Sequence, residues 1–200
     1  MPSGNFNHHK EGFYYWDADG SGANPITAYQ IVSLATNTEV DAAKAAGQIP
    51  QGISYGDVIV RTPTTAGVST RRILGVTLGG GWSIGNNTFK GDSIPVVIGG
   101  VAYVQFNAAV AFVPGQLVQA VATETRTNVQ TPFVNNNDML LPMDPRVVTT
   151  YRMCLAGALN IAPVNVLPVA PNYSLGYLLG QSDAKYDILP VEVNPQVTYA

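Results

Sequence analysis

The chain has 200 residues, enough for one sizeable domain with its own core. Only 12% of them are Asp, Glu, Lys or Arg, against about 25% in an average soluble domain, while 20 glycines and 14 prolines enrich it in turn formers; helical bundles, coiled coils and charged disordered tails are excluded. The formal net charge of −3 leaves no basic footprint for nucleic acid, and a single cysteine, Cys154, excludes an intramolecular disulfide.

Residues 1–35 read as an extended amino-terminal arm. Its start lacks an apolar run behind a basic segment, so no secretory signal is expected. The arm carries Phe13, Tyr14, Tyr15 and Trp16, an aromatic cluster suited to packing or docking and alternatively to stacking on sugars. Asp17, Asp19 and Ser21 with Gly22 resemble the opening of a calcium loop. Position 12 of that loop is Ala28 where a bidentate Glu belongs, so a tight Asp/Gly turn is expected and no metal. Ile26 to Leu34 have strand-like composition.

A β core domain is expected over 36–165. Its one helix is placed on the alanine-rich run Ala42–Ala46, with Thr38 as N-cap, Asp41 as a weak capping-box partner and Gly47 as the stop. From about residue 50 onward, strand-like runs alternate with glycine-rich turns: 58–60, 72–78, 93–98, 101–106 and 117–121, with Gly99 and Gly100 forming one of the turns. That rhythm predicts a barrel or sandwich. Arg61, Arg71, Arg72 and Lys90 form a small basic locality, read as a solvated edge or a partner contact.

Two tracts, Ser93–Thr123 and Met153–Ser182, contain no charge. Their length would admit a membrane-spanning helix, but Pro95, Pro114, Pro163 and Pro168 interrupt them and no membrane span is expected. In the first tract Ala102, Val104, Phe106, Ala108, Val110 and Phe112 share one face at period 2. The opposite face, with Tyr103, Gln105 and Asn107, is uncharged as well. Either the strand is buried on both sides, or its second face meets another chain. Tyr103, Gln105 and Asn107 therefore join Phe13, Tyr14, Tyr15 and Trp16 as interface candidates. A further strand-like piece covers 147–159, and 166–200 form a proline-punctuated carboxyl tail.

No catalytic constellation is legible. The histidines, His8 and His9, are adjacent near the terminus and point to opposite sides of an extended chain, a poor zinc pair. No Gly-x-Ser-x-Gly elbow occurs, Cys154 sits in an apolar run, and Asp57, Asp92, Asp138 and Asp144 occupy turn or loop positions. The expectation is a protein without enzymatic activity, catalytic residues, cofactor or metal.

The glycine-spaced strands form a recognisable series: Gly56-Asp57-Val58-Ile59-Val60, Ile73-Leu74-Gly75-Val76-Thr77-Leu78, Gly91-Asp92-Ser93-Ile94-Pro95-Val96-Val97, Gly100-Val101-Ala102-Tyr103-Val104 and Pro114-Gly115-Gln116-Leu117-Val118, with Leu155-Ala156-Gly157-Ala158-Leu159 later. Over about 50–160 this resembles the decoration, or cement, proteins of tailed-bacteriophage heads, the head auxiliary proteins. The resemblance implies a small β-barrel-type domain, often a homotrimer, clamped over junctions between major capsid proteins on the outer surface of the virion; it carries over no catalytic residues. The expected fold is mainly β, a small barrel or sandwich core with one short helix and extended terminal arms. The expected function is capsid stabilisation, with a carbohydrate- or receptor-binding β-sandwich of a virion as the alternative.

Overall fold

The computed structural model describes residues 8–19, 24–53, 58–63, 72–85, 93–128, 149–159 and 171–199. Alternation of apolar and polar residues is realised as strands β1 (His8–Tyr15), β2 (Ile31–Leu34), β3 (Val58–Arg61), β4 (Ile73–Thr77), β5 (Ser93–Gln105), β6 (Leu117–Asn128), β7 (Thr149–Leu159), β8 (Pro171–Leu178) and β9 (Ile188–Tyr199), with helix α1 (Asn37–Ala45) after β2. The protein is mainly β.

Strands β1, β3, β2, β4 and β5 follow one another around a closed five-stranded barrel, completed by pairing of β1 with β5. Only the β1–β3 pair is parallel within it. Period 2 sorts the side chains. Phe13 and Tyr15 of β1, Val32, Val60, Ile94 and Val96 meet inside the barrel, while Tyr14 and Trp16 point out and pack beneath α1 with Val40, Ala43, Ile59 and Ile84.

The second sheet runs β5-β9-β8-β6-β7 and shares the long strand β5 with the barrel. Gly99 and Gly100, expected as a turn, lie inside that strand at the point where it changes partners. Pairing with β1 reaches Gly99, and pairing with β9 begins at Gly100 opposite Val193. Gly100 takes φ 89, a backbone state that a glycine adopts without steric cost, and this lets one strand serve two sheets. The second sheet curls until β7 returns to the end of β5 through a single Phe106–Ala156 bridge. Its core includes Val104, Phe106, Val118, Cys154, Leu175, Leu178 and Val191, continuous with Ile73, Val76 and Val97 of the barrel strands.

Several expectations shift. The helix starts two residues early: Thr36 is the N-cap, its hydroxyl accepts from the Glu39 amide and the Glu39 carboxylate accepts from the Thr36 amide. Thr36 wins over Thr38 because its third residue on is Glu39, which completes both halves of the box, whereas Asp41, three residues after Thr38, is one methylene shorter than the Glu or Gln that the box uses. Gly47, at φ 72, follows the C-cap as expected. The segment expected as an amino-terminal arm supplies β1 and β2, and the proline-punctuated tail supplies β8 and β9, so both are woven into the sheets. Prolines 171, 190 and 195 are tolerated in these strands where the ladder does not require their missing N–H.

Candidate functional site

The interface candidates divide sharply. Phe13, Tyr15 and Trp16 are buried in the barrel and under the helix, and Tyr14 is half-buried beside them. A sugar-stacking platform on these rings is thereby overturned: strand alternation sends two rings into each of two cores and leaves no open row. Gln105 is only 2% exposed. Asn107 is half-buried, its amide donating to the Ala156 carbonyl at 2.9 Å. Tyr103, at 55% exposure, is the candidate that faces out.

Gln105 instead belongs to a polar seam between barrel and second sheet. Its carboxamide oxygen accepts from Gln30 Nε2 at 2.9 Å and its own Nε2 donates to the Tyr186 carbonyl. Gln30 Oε1 in turn accepts from the Cys154 amide at 2.9 Å, so a side chain takes the place of a neighbouring strand along β7. Farther along, Arg152 N donates to the Pro25 carbonyl, and Arg152 Nε reaches Asp17 Oδ1 at 2.9 Å. Asp17 is fully buried; its other oxygen accepts from Asn24 Nδ2, and its amide donates to Ser83 Oγ.

The calcium-like Asp17 and Asp19 are thus both neutralised by arginine. Arg61 binds Asp19 and Glu39, Thr62 Oγ1 donates to Asp19, and the guanidinium lies 5.7 Å from the Trp16 ring centre. The acidic turn is a structural clasp. Arg61 is also removed from the expected basic locality, because its charge is spent inside the fold; Arg71 and Lys90 lie outside the described residues. Asp57, Asp92, Asp138 and Asp144 lie outside them too.

Two surface features remain. One is an apolar ridge. The turn after β5 exposes Phe112 and Val113. An antiparallel bridge from Val110 to Ser182 brings the segment after β8 alongside, with exposed Leu179 donating its amide to the Pro190 carbonyl. Pro190 pairs with Tyr103 across β5–β9 and lies beside Leu179, and the Gln116 carbonyl accepts from the Leu178 amide, so the exposed Phe112–Val113 turn adjoins this apolar row. The other is a largely apolar cavity of about 570 Å³ between barrel residues and β9, lined by Leu34, Thr36, Arg72, Ile73, Leu74, Ile98 and Pro195.

No family model matches the chain, and no curated protein or solved structure matches it either.

Among the described residues no group of three His, Cys, Asp or Glu side chains converges as a metal site, and no helix is long and apolar enough to cross a membrane. Burial pushes the Cys154 thiol up to about 12, away from the thiolate a nucleophile needs. Burial, with the charge of Asp17 beside it, raises the Tyr15 phenol well above its ordinary range. A hydrogen bond to Glu124 raises the Lys185 ammonium. The sequence signal for the ridge was partial: the uncharged tract pointed to 103–113, but Leu179 and Pro190 are joined to it only by folding.

Proposed function

We propose that the chain is a non-enzymatic structural protein of a virion that binds the outside of a bacteriophage head and cements adjacent major capsid proteins. The observation that carries this reading is the apolar ridge through Tyr103, Leu179, Val113 and Phe112 on a chain with so little charge. Apolar, charge-depleted surface of this kind is what the core of a protein–protein interface contains. The β-barrel expected of the cement proteins supports the same reading, because a rigid sheet presents such residues in fixed register to many identical neighbours, and modest contacts repeated over a lattice sum to firm attachment.

The test is to purify heads of the virus that encodes the chain, quantify the chain per major capsid protein, and follow shell rupture on heating before and after its removal. Stoichiometric presence and a lower rupture temperature in stripped heads are expected. Heads that lack the chain, or that rupture at the same temperature without it, overturn the proposal.

A further inference from the structure

The cavity between barrel and β9 follows from the way β5 changes sheets. The β4–β5 ladder ends at Val76–Val97, and the β5–β9 ladder begins at Gly100–Val193. Where β5 leaves one partner for the other, side chains wall the gap: Leu74 from β4, Ile98 from β5, Pro195 from β9 and Leu34 from the end of β2. Leu74 and Ile98 pack against the barrel's interior cluster yet stay half-buried, and Leu34 is exposed. The resulting volume of about 570 Å³ falls within the range of small-ligand sites, roughly 300–1,000 Å³.

Two polar side chains line this hollow, Thr36 and Arg72. The Thr36 hydroxyl is already engaged by Glu39 in the helix cap. Arg72 is different. Elsewhere the cations of the fold have partners: Arg61 binds Asp19 and Glu39, Arg152 binds Asp17, Lys185 binds Glu124, and Arg126 lies over Tyr186. Among the described residues Arg72 has no ionic, hydrogen-bonding or aromatic partner, and no carboxylate lines the cavity beside it.

We propose that this hollow binds a small amphipathic anion: a hydrocarbon chain of medium length ending in a carboxylate. The chain covers the apolar walls of Leu34, Leu74, Ile98 and Pro195, which removes their exposed surface from water. The carboxylate meets the Arg72 guanidinium, whose planar fork of donors accommodates both oxygens. A concave, largely apolar wall with one placed charge suits a single small molecule. The hollow shares no residue with the ridge through Tyr103, Leu179, Val113 and Phe112, so the inference stands or falls apart from attachment to a capsid.

The test is calorimetric titration of the purified full-length chain with sodium decanoate, kept below micelle-forming concentrations. Saturable one-to-one binding is expected. Decanol, which keeps the chain without the charge, and acetate, which keeps the charge without the chain, each bind about tenfold or more weakly. Arg72→Gln lowers decanoate affinity about tenfold or more and leaves decanol unchanged. Arg72→Lys, which retains the charge and loses the fork, falls between. Leu34→Ala trims the wall and weakens decanoate and decanol by a like factor, whereas Val113→Asp on the ridge binds decanoate as wild type does. These substitutions alter exposed residues, and ligand-free thermal midpoints equal to wild type are expected for all of them. Absence of saturable binding, equal affinity for decanoate and decanol, or an Arg72→Gln chain that binds decanoate normally overturns the inference. So does loss of binding in Val113→Asp, which would place the ligand on the ridge, or binding to phosphatidylglycerol vesicles without binding to free decanoate, which would make the ligand a membrane surface.

Discussion

The two sheets that share β5 are closed by different means, and the contrast shows where this fold is rigid and where it depends on individual side chains. The barrel is closed by backbone: β1 pairs with β3 on one edge and with β5 on the other, so its strands form a continuous ring of ladders. The second sheet stops at β7, and what lies against that strand is two isolated bridges, Phe106 to Ala156 and Ile26 to Arg152, with the Gln30 carboxamide and the Arg152–Asp17 pair. A ladder distributes closure over many equivalent hydrogen bonds. A seam of buried side chains concentrates it in a few groups, each of which costs free energy when its partner is lost.

The harshest way to break the ladder is to separate strands by a methyl group. A Cβ on Gly75 would sit on the Val97 carbonyl oxygen, backbone against backbone between β4 and β5. Gly75→Ala is expected to cost about 4 kcal/mol or more, read as a large fall in the thermal midpoint or as insoluble protein. Gly115→Ala, in a turn where nothing lies within 4 Å of the added Cβ, meets only the backbone strain of φ 80 and should retain the fold. Equal stability of Gly75→Ala and wild type would contradict the tight barrel wall.

The seam has its own decisive residue. Arg152→Met leaves the carboxylate of Asp17 buried with its cation gone, and loss of one partner from a buried pair costs about 3–5 kcal/mol. Removing both charges, as Asp17→Asn with Arg152→Met, should recover most of that loss in chemical denaturation. A double variant no more stable than the single one would mean that the pair does not act as a unit.

Strand positions and the β class were legible because period-2 alternation and glycine punctuation are local signals: the runs at 58–60 and 72–78 became β3 and β4 almost unchanged. The aromatic run at 13–16 was visible but its destination was not. Which core receives Tyr15 and which Trp16 depends on β3 and β5 lying on either side of β1, a long-range fact. The same holds for Gln105. An uncharged face left open whether it was buried within the fold or met another chain, and for Gln105 the answer is burial: a buried carboxamide is stable wherever donors and acceptors from distant segments converge, and here Gln30 and Tyr186 supply them. The Gly99–Gly100 pair was misread for a related reason: glycine marks an unusual backbone, and only the neighbours decide between a turn and a strand that changes sheets.

Gln30 tests the idea that an amide substitutes for a strand. Gln30→Leu keeps a similar volume but leaves the Cys154 amide without its acceptor and the Gln105 oxygen without its donor, a loss of about 1–3 kcal/mol. The discriminating measurement is hydrogen exchange at the Cys154 amide. It should accelerate by more than the global stability change explains, while the amides of the β4–β5 ladder follow global stability alone. Uniform acceleration across both sheets would remove the distinction between ladder and seam.

The smallest effect concerns Tyr15, whose ring fills the barrel while its hydroxyl is buried without a hydrogen-bond partner among the described residues. Deleting that oxygen removes a desolvated polar group and keeps the ring, so Tyr15→Phe should leave stability at pH 7 unchanged or raise it by about 1 kcal/mol. The alkaline limb separates this from a trivial substitution. Below pH 10.0 the phenol is protonated in both folded and unfolded chains and contributes no pH dependence. Above it the unfolded phenol ionises while burial keeps the folded one neutral, so the unfolded chain binds fewer protons and stability falls as pH rises. Cys154 acts in the same sense over a lower window, from its ordinary 9.0 up to about 12. Urea midpoints measured from pH 8 to 11 should therefore decline in wild type, and in Tyr15→Phe the decline above pH 10 should become shallower while the part below it persists. An identical profile in both proteins would mean that the barrel interior admits water to the phenol.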